Sequence, residues 1–552
     1  MHMTSTRKNI LVFLLLLGVV FSLYYRSLFF GFLSDDYHFL YITSLQDSVL
    51  KYFNTNNVGE ASGGSYGPVW NVLFTIEYLL FHLNAVFYHL VSLILYTLTA
   101  FIIYLWLTKL SHSKIIGFIS SVLFIILPGH IESVSWIAVQ PHVFATFFAV
   151  LALYFYYEFI ETKKKNLLFV SVCAYVLSVF TKETAIMLPF VVLLMECFFG
   201  RWDGILGTFK RLVIRLLPFG LFTLLFVWLR YRIVGYVFGY YAGQGESIGL
   251  VAKLKTFVEI ATSHVISYPY RQSVSEWFFR HDMLFVLSIL AILGIMIFVM
   301  HKEYRKIAWF LLGAYVILSY PFLSLQLNPV NNEGERYGYF VSIFFVMWVG
   351  VVLYGVFIRV TYGKWITWGI VAVASIFLLY QIPSKLHDYT LASRVRDQIL
   401  DDFRSFNFKN NYYTLIVGLP DNVAGAPVFR NAIKEAVYLT SDRGFFLGER
   451  IPLYTELGKS RVGKNILALE QNEYSYQLVP INNLDKSIFT GFATYKHELA
   501  NFSMENFVRL GFKGEGITID VRDDVLKTYT EQEKQIILAF FDGEKMNFFE
   551  VK

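Results

Sequence analysis

Charged side chains make up only 16% of this 552-residue chain, against about a quarter in a soluble protein. That shortage excludes an ordinary soluble fold over most of the length. Cysteine is scarcer still. Cys173 and Cys197 are the two present, both inside apolar segments, which excludes a disulfide framework and a metal-knuckle spacing. No repeat of tetratricopeptide or other period is found, and no low-complexity linker. No basic stripe with interleaved stacking aromatics occurs, so nucleic acid is not an expected partner. No small-x-small cleavage site follows the apolar stretch from Ile10 to Phe30, which is longer than a usual signal-peptide core. With Arg7 and Lys8 ahead of it, that stretch reads as an uncleaved first helix starting in the cytoplasm.

What the chain has in abundance is apolar surface. Hydrophobic residues reach 56% and aromatics 18%, and mean hydropathy is +0.51. Runs long enough to cross a bilayer recur from residue 10 to about residue 382 and then stop. They predict a polytopic α-helical membrane protein of about eleven spans: 10–30, 84–107, 115–128, 139–159, 167–180, 184–199, 212–230, 282–300, 307–325, 337–358 and 363–382. The positive-inside rule supports this count. Placing the N-terminus inside makes the connections Lys109 to Lys114, Thr162 to Lys165, Arg201 to Arg215, His301 to Lys306 and Arg359 to Lys364 cytoplasmic, and all are basic. Much of the net charge of +6 therefore marks the cytoplasmic face. The opposite connections are mostly poor in Lys and Arg, and the C-terminal region falls outside the membrane. The expected location is a plasma or inner membrane, with lipid as a surrounding partner.

On that topology five polar clusters share the outer face: Asp35/Asp36, His130/Glu132, Lys182/Glu183, Arg230/Arg232 and Glu335/Arg336. Paired carboxylates where a helix meets water are costly, since each is partly desolvated and repels the other. Clusters from distant parts of the chain meeting one membrane surface form a candidate site.

Between the spans, residues 52–67 are turn-rich, and Pro68 to Phe81 is apolar but short and interrupted by Glu77. It reads as an interfacial helix. Residues 231–281 form a second long outer segment containing Tyr268-Pro-Tyr-Arg271. The chain thus divides into a membrane domain, residues 1–382, and an extracytoplasmic mixed α/β domain, residues 383–552. In the latter a helix is expected near His387 to Phe406 and a strand over Tyr412 to Val417, closed by Gly418-Leu-Pro-Asp-Asn422. Ile517 to Val521 reads as a further strand. Ile536 to Phe541 and Met546 to Val551 flank Asp542-Gly543 as a hairpin.

Each cluster admits two readings. Asp35 or Asp36 serves as general base towards an acceptor, its pKa tuned by the neighbouring acid, or the pair caps the adjoining helix. His130 and Glu132 bind a metal, orient an acceptor or hold phosphate, or form a satisfied pair at a helix end. Lys182/Glu183 and Glu335/Arg336 contact a ligand or are local ion pairs, and Arg230 and Arg232 do so or merely snorkel. Carboxylates together with several Lys and Arg suit a reaction in which a phosphate leaves, the cations holding the developing charge.

At these residues the chain resembles the C-type (GT-C) glycosyltransferases, which use polyprenyl-phosphate sugars. The protein O-mannosyltransferases and the transmembrane-and-tetratricopeptide-repeat O-mannosyltransferases are the most similar. Asp35-Asp-Tyr-His-Phe39 is similar to the Asp-Glu/Asp-x-His-Phe pattern of the former. Tyr66-Gly-Pro68, His89-Leu-Val91, Leu127-Pro-Gly-His-Ile-Glu132, Thr181-Lys-Glu183 and Glu335-Arg-Tyr337 resemble motifs of the latter in order. The likeness covers roughly residues 10–360. It departs at Gly67, Leu127 and Val139-Gln140, and the repeat tail is absent.

The resemblance implies a GT-C-like fold and an inverting transfer to a protein, lipid or glycan acceptor at the outer face. It implies Asp35 as base with Asp36 as second choice. It makes Lys182, Arg230 and Arg336 the phosphate contacts, while His130 and Glu132 shape the site. A divalent metal is left open, since some members use one and others none. A transporter or flippase of lipid-linked saccharides would need mid-membrane charges and pseudo-symmetric halves, whereas the spans are nearly free of such charge and no inverted repeat is visible. A polymerase or ligase of such saccharides is the other alternative.

Overall fold

The computed structural model of the protein describes residues 5–45, 65–235, 237, 249–267, 271, 273, 300–323, 333–358, 361–409, 411–441, 448–450, 454–457, 462–464, 467–472, 475–480, 508–513, 516–521 and 535–551. The expected span 282–300, most of the loop 52–67 and residues 268–270 lie outside them. The chain divides into two compact units, Met1–Phe29 with Gln46–Leu386, and Phe30–Leu45 with His387–Lys552.

In chain order the first described helices are α1 (Ser5–Tyr24), α2 (Asp35–Ser44), α3 (Pro68–Phe81), α4 (Ala85–Ser111), α5 (Lys114–Ile126) and α6 (Ile131–Ser135). They are succeeded by α7 (Gln140–Thr162), α8 (Lys165–Thr181), α9 (Leu188–Phe199), α10 (Gly204–Val234) and α11 (Leu250–Ser263). The last are α12 (Lys302–Ser319), α13 (Arg336–Tyr339), α14 (Ser342–Phe357), α15 (Gly363–Ser405) and α16 (Ile433–Thr440). Among the described residues, five helical stretches are long and apolar enough to cross a membrane: Thr6–Phe29, Ala85–Ser111, Ile137–Thr162, Gly204–Val234 and Gly363–Ser405. The pair Lys114–Ile126 and Pro128–Ser135, bent by 56°, makes a sixth if it counts as one span. The apolar helices α3, α8 and α14 have fewer than 18 residues, short of the roughly 20 that span a bilayer untilted. The protein is an integral membrane protein with a strand-rich C-terminal region.

Local chemistry sets the helix ends of the first unit. The Asn84 side chain caps α4 by accepting the Val86 N–H at 3.3 Å, and Pro68 opens α3, where a missing N–H costs nothing. Lys163, at φ +61°, ends α7 and lets α8 fold back. Hydroxyls then bond across that hairpin, Ser171 Oγ to the Ala152 carbonyl and Ser178 Oγ to that of Ala145, both at 2.7 Å. In apolar surroundings such bonds hold helices together where hydrophobic burial gives little preference. Gly117 lets α5 approach α4 closely, since a Cβ there would stand 2.7 Å from the Tyr104 carbonyl oxygen. Glu196 of α9, buried, accepts from Tyr156 at 2.9 Å and pairs with Arg215 at 2.7 Å.

The second unit is mixed α/β. Strands β1 (Tyr412–Val417), β2 (Leu419–Val423), β3 (Ala426–Pro427), β4 (Gly448–Arg450) and β5 (Tyr454–Leu457) precede β6 (Leu467–Asn472), β7 (Ser475–Pro480), β8 (Val508–Lys513), β9 (Gly516–Val521), β10 (Gln535–Phe541) and β11 (Met546–Glu550). One sheet runs β11-β10-β1-β4, with β1 parallel to β10 and β4 and β11 antiparallel. A second runs β3-β2-β5 and a third β6-β7-β9-β8. Strands β1 and β10 read as continuous apolar runs because they are flanked on both sides and buried along their length. Residues 418–422, expected as a closing turn, instead turn only at Gly418 (φ +66°) and continue as β2. The hairpin turn at Asp542 is longer than a two-residue one. Asp542 Oδ1 accepts the N–H groups of Glu544 and Lys545, both at 2.8 Å. The expected helix near His387 is the second half of α15, whose residues from His387 on belong to the second unit.

Residues 30–45 belong to this second unit. Ser393 and Arg396 of α15 bond the Phe30 carbonyl at 2.5 and 3.1 Å, and Arg396 also bonds that of Phe32 at 2.5 Å. Phe30 stacks on Tyr389, and Tyr37 on Phe429.

Candidate active site

In the first unit the polar clusters stand at helix ends: His130 and Glu132 beyond α5, Lys182 and Glu183 beyond α8, Arg230 in the last turns of α10, and Arg336 at the start of α13. Glu132 is 3% exposed and forms an ion pair with the Arg336 guanidinium. The same carboxylate accepts the backbone N–H groups of Arg336 at 2.7 Å and Gly334 at 3.3 Å. Arg336 also lies over the rings of Tyr337, at 4.8 Å, and Trp136, at 5.5 Å. His142 lies within electrostatic reach of both Lys182 and Arg336, and its ring stands 6.3 Å from that of Tyr337. Lys182 donates to Ser65 Oγ at 3.2 Å and pairs with Glu183 at 3.3 Å.

Glu183 ties in Arg230. Burial opposes its ionisation, but the charges of Lys182 and Arg230 and its own backbone N–H outweigh that and leave its carboxyl below the ordinary value. Arg230 is buried at 2% exposure and donates to the Val237 carbonyl at 3.1 Å. Arg232, two residues on, is exposed and is not drawn in. Lys182 and Arg336 thus lie within electrostatic reach of His142, and Lys182 and Arg230 within that of Glu183.

Two expected pairings resolve differently. Glu335 and Arg336 are not a local ion pair, because consecutive residues at a helix start project to different sides. Glu335, buried, pairs with Arg271 at 2.8 Å and with Lys385, and Lys385 also donates to the Pro128 carbonyl at 2.9 Å. His130 is fully buried, with Nδ1 2.8 Å from the Tyr96 hydroxyl and Nε2 2.7 Å from Ser342 Oγ. Its ring packs on Phe124 and Tyr339. Both nitrogens are engaged within the protein, the satisfied arrangement for a buried histidine. His142, Arg271 and Lys385 carry no signal in the sequence, since no spacing ties Lys385 to a carboxylate 50 residues earlier.

In the second unit the acidic pair starts α2. Asp36 is 1% exposed, and its Oδ2 accepts the Leu33 N–H at 2.7 Å. Asp35 is partly exposed, and its Oδ1 accepts from Asn431 Nδ2 at 2.8 Å. The two carboxylates are thus differentiated: Asp36 is built into the turn, while Asp35 keeps access to solvent. Among the described residues no three His, Cys, Asp or Glu side chains gather as a metal-ligand set.

No family model matches the sequence. Over 155 residues the chain is 29% identical to the human protein O-mannosyl-transferase TMTC3, a stretch covering 26% of this chain and 16% of that protein. The chain therefore spans only a small part of that curated relative's length. The resemblance to O-mannosyltransferases read from the motifs agrees with this match. Among solved structures the chain is similar to an oligosaccharyltransferase from Archaeoglobus fulgidus, with a TM-score of 0.44 and 11% identity, over 80% of this chain and 62% of that one. It is also similar to ArnT from Cupriavidus metallidurans bound to undecaprenyl phosphate, with a TM-score of 0.45 and 11% identity, over 95% and 99% of the two chains.

Proposed function

We propose that the protein is a membrane glycosyltransferase that moves a sugar from a polyprenyl-phosphate donor to an acceptor at the outer face, with inversion. The acceptor's hydroxyl or amide attacks the anomeric carbon and loses its proton to the Asp35 carboxylate. The bond from that carbon to the phosphate oxygen breaks, and the lipid phosphate departs with the bonding electrons. Lys182, Arg230 and Arg336 hold the charge that develops on it. Glu132 keeps Arg336 in place through its three contacts. Asp36 is the weaker candidate for base because its carboxylate is buried and occupied by the Leu33 N–H.

The observation that carries this reading is that two helix-end carboxylates of the first unit each hold a cation, Glu132 pairing with Arg336 and Glu183 with Lys182 at 3.3 Å. Similarity over 155 residues to a protein O-mannosyl-transferase supports the reaction class and a protein acceptor. The test is incubation of membranes containing the protein with a panel of polyprenyl-phosphate sugars, and mass spectrometry of the products. Transfer of one sugar, lost in Asp35→Asn with donor binding and expression retained, is the expected result. An amide keeps the carboxylate's shape and loses its basicity. Full activity in Asp35→Asn would remove Asp35 as base, and no transfer from any donor would overturn the reading.

A further inference from the structure

The acidic pair is fastened from one side by a short segment, residues 428–431. The Ser34 N–H donates to the Val428 carbonyl at 2.9 Å, and the Asn431 N–H reaches Ser34 Oγ at 3.4 Å. The Asn431 side chain donates to Asp35 Oδ1 at 2.8 Å. The segment is itself rigidly held. Arg430 forks onto Asp421 with two bonds of 2.7 Å, and the Val428 and Phe429 N–H groups donate to the carbonyls of Asp421 and Pro420 at 2.9 and 3.1 Å.

The turn so held is one the chain would not keep unaided. Ser34 sits at φ +46° and ψ −115°, a conformation that side chains other than glycine rarely adopt and that surrounding contacts must impose. Three residues earlier Gly31, at φ +69°, gives room to the Arg396 guanidinium, which a Cβ there would meet. Strain of this kind between two fixed segments orients the next residue in the chain, Asp35.

We propose that Asn431 is the positioning residue of Asp35. Its amide N–H occupies one carboxylate oxygen, so that the other oxygen's lone pairs are aimed at the acceptor proton. The inference rests on Asp35 being the base. A base acts only within hydrogen-bond reach and at the right angle, and a carboxylate free to rotate spends little time there.

The test uses the full chain in membranes, with the sugar donor that the polyprenyl-phosphate panel identifies. Asn431→Ala should lower kcat about tenfold or more, the effect of losing one charge-assisted bond, with donor KM unchanged. A residue that only braced the fold would lower the amount of folded protein and leave the kcat of what remains unchanged.

If Asn431→Ala does not accumulate, the near-isosteric Asn431→Asp carries the test. An ionised carboxylate there offers Asp35 no N–H, so kcat should fall at least as far as in the alanine variant. A kcat within twofold of the parent, in whichever variant folds, overturns the inference. If that result comes with an inactive Asp35→Asn, the base assignment survives. If Asp35→Asn is active, both fall.

Discussion

Replacement of Glu132 tests whether the cation cluster is held as described. Its carboxylate accepts two backbone N–H groups and the Arg336 guanidinium while only 3% exposed. Glu132→Ala orphans both donors, at about 1–3 kcal/mol each when buried. It also breaks an ion pair whose loss, if fully buried, costs about 3–5 kcal/mol. The Arg336 side chain is 16% exposed, so water compensates part of the second term, and the contributions overlap. A net loss of about 3–5 kcal/mol is expected for Glu132→Ala. For Glu132→Gln, which keeps an acceptor oxygen and loses the charge, about 1–3 kcal/mol is expected. The assay is the thermal unfolding midpoint of the purified protein in detergent, with limited proteolysis of the segment before Arg336. A cycle combining Glu132→Gln with Arg336→Met should show a coupling of about 1–3 kcal/mol. An unchanged midpoint and cleavage pattern in Glu132→Ala, or a coupling near zero, would refute the reasoning.

Other contacts give three more expected outcomes. Asp36→Ala should lower the unfolding midpoint through about 1–3 kcal/mol for the Leu33 N–H bond it loses, while Asp36→Asn keeps an acceptor oxygen and loses less; equal losses in both would argue against a role for this bond. Burial opposes the ionisation of Glu435, but the His38 contact at 3.2 Å and its own backbone N–H outweigh it and hold its carboxyl below the ordinary value. A lowered folded-state value contributes stability above the unfolded carboxylate range, near about pH 4.3, that is lost as pH falls through the folded value. The midpoint gap between the parent and Glu435→Gln should therefore be present at pH 7 and close in acid, and a gap independent of pH would contradict it. A reporter fused after Lys165 should read cytoplasmic and one after Lys552 outside; a cytoplasmic C-terminus would imply an even number of spans and separate the clusters across the membrane.

The sequence by itself determined the class of protein and the approximate position of its long apolar helices. Apolar runs such as Ala85–Ser111 and Gln140–Thr162 must form helices in lipid, because no water is there to satisfy the backbone. Caps such as Asn84 and Pro68 lie at helix starts as local rules require. The strands β1 and β10 were legible for the same reason, a continuous run of apolar side chains with β-branched residues among them. Local spacing could not show which charges pair. Glu335 is bonded by Arg271 and Lys385 rather than by its neighbour Arg336, and Arg336 turns to Glu132, 204 positions earlier. Ion pairing is decided by distance in space and by how far each group is desolvated, and neither is encoded in adjacency along the chain. The acidic pair shows the same division. Its chemistry was visible as Asp35-Asp36, but folding bound Asp36 to the Leu33 N–H within the turn, and a tertiary contact set Asn431 against Asp35, giving two identical carboxylates unequal roles.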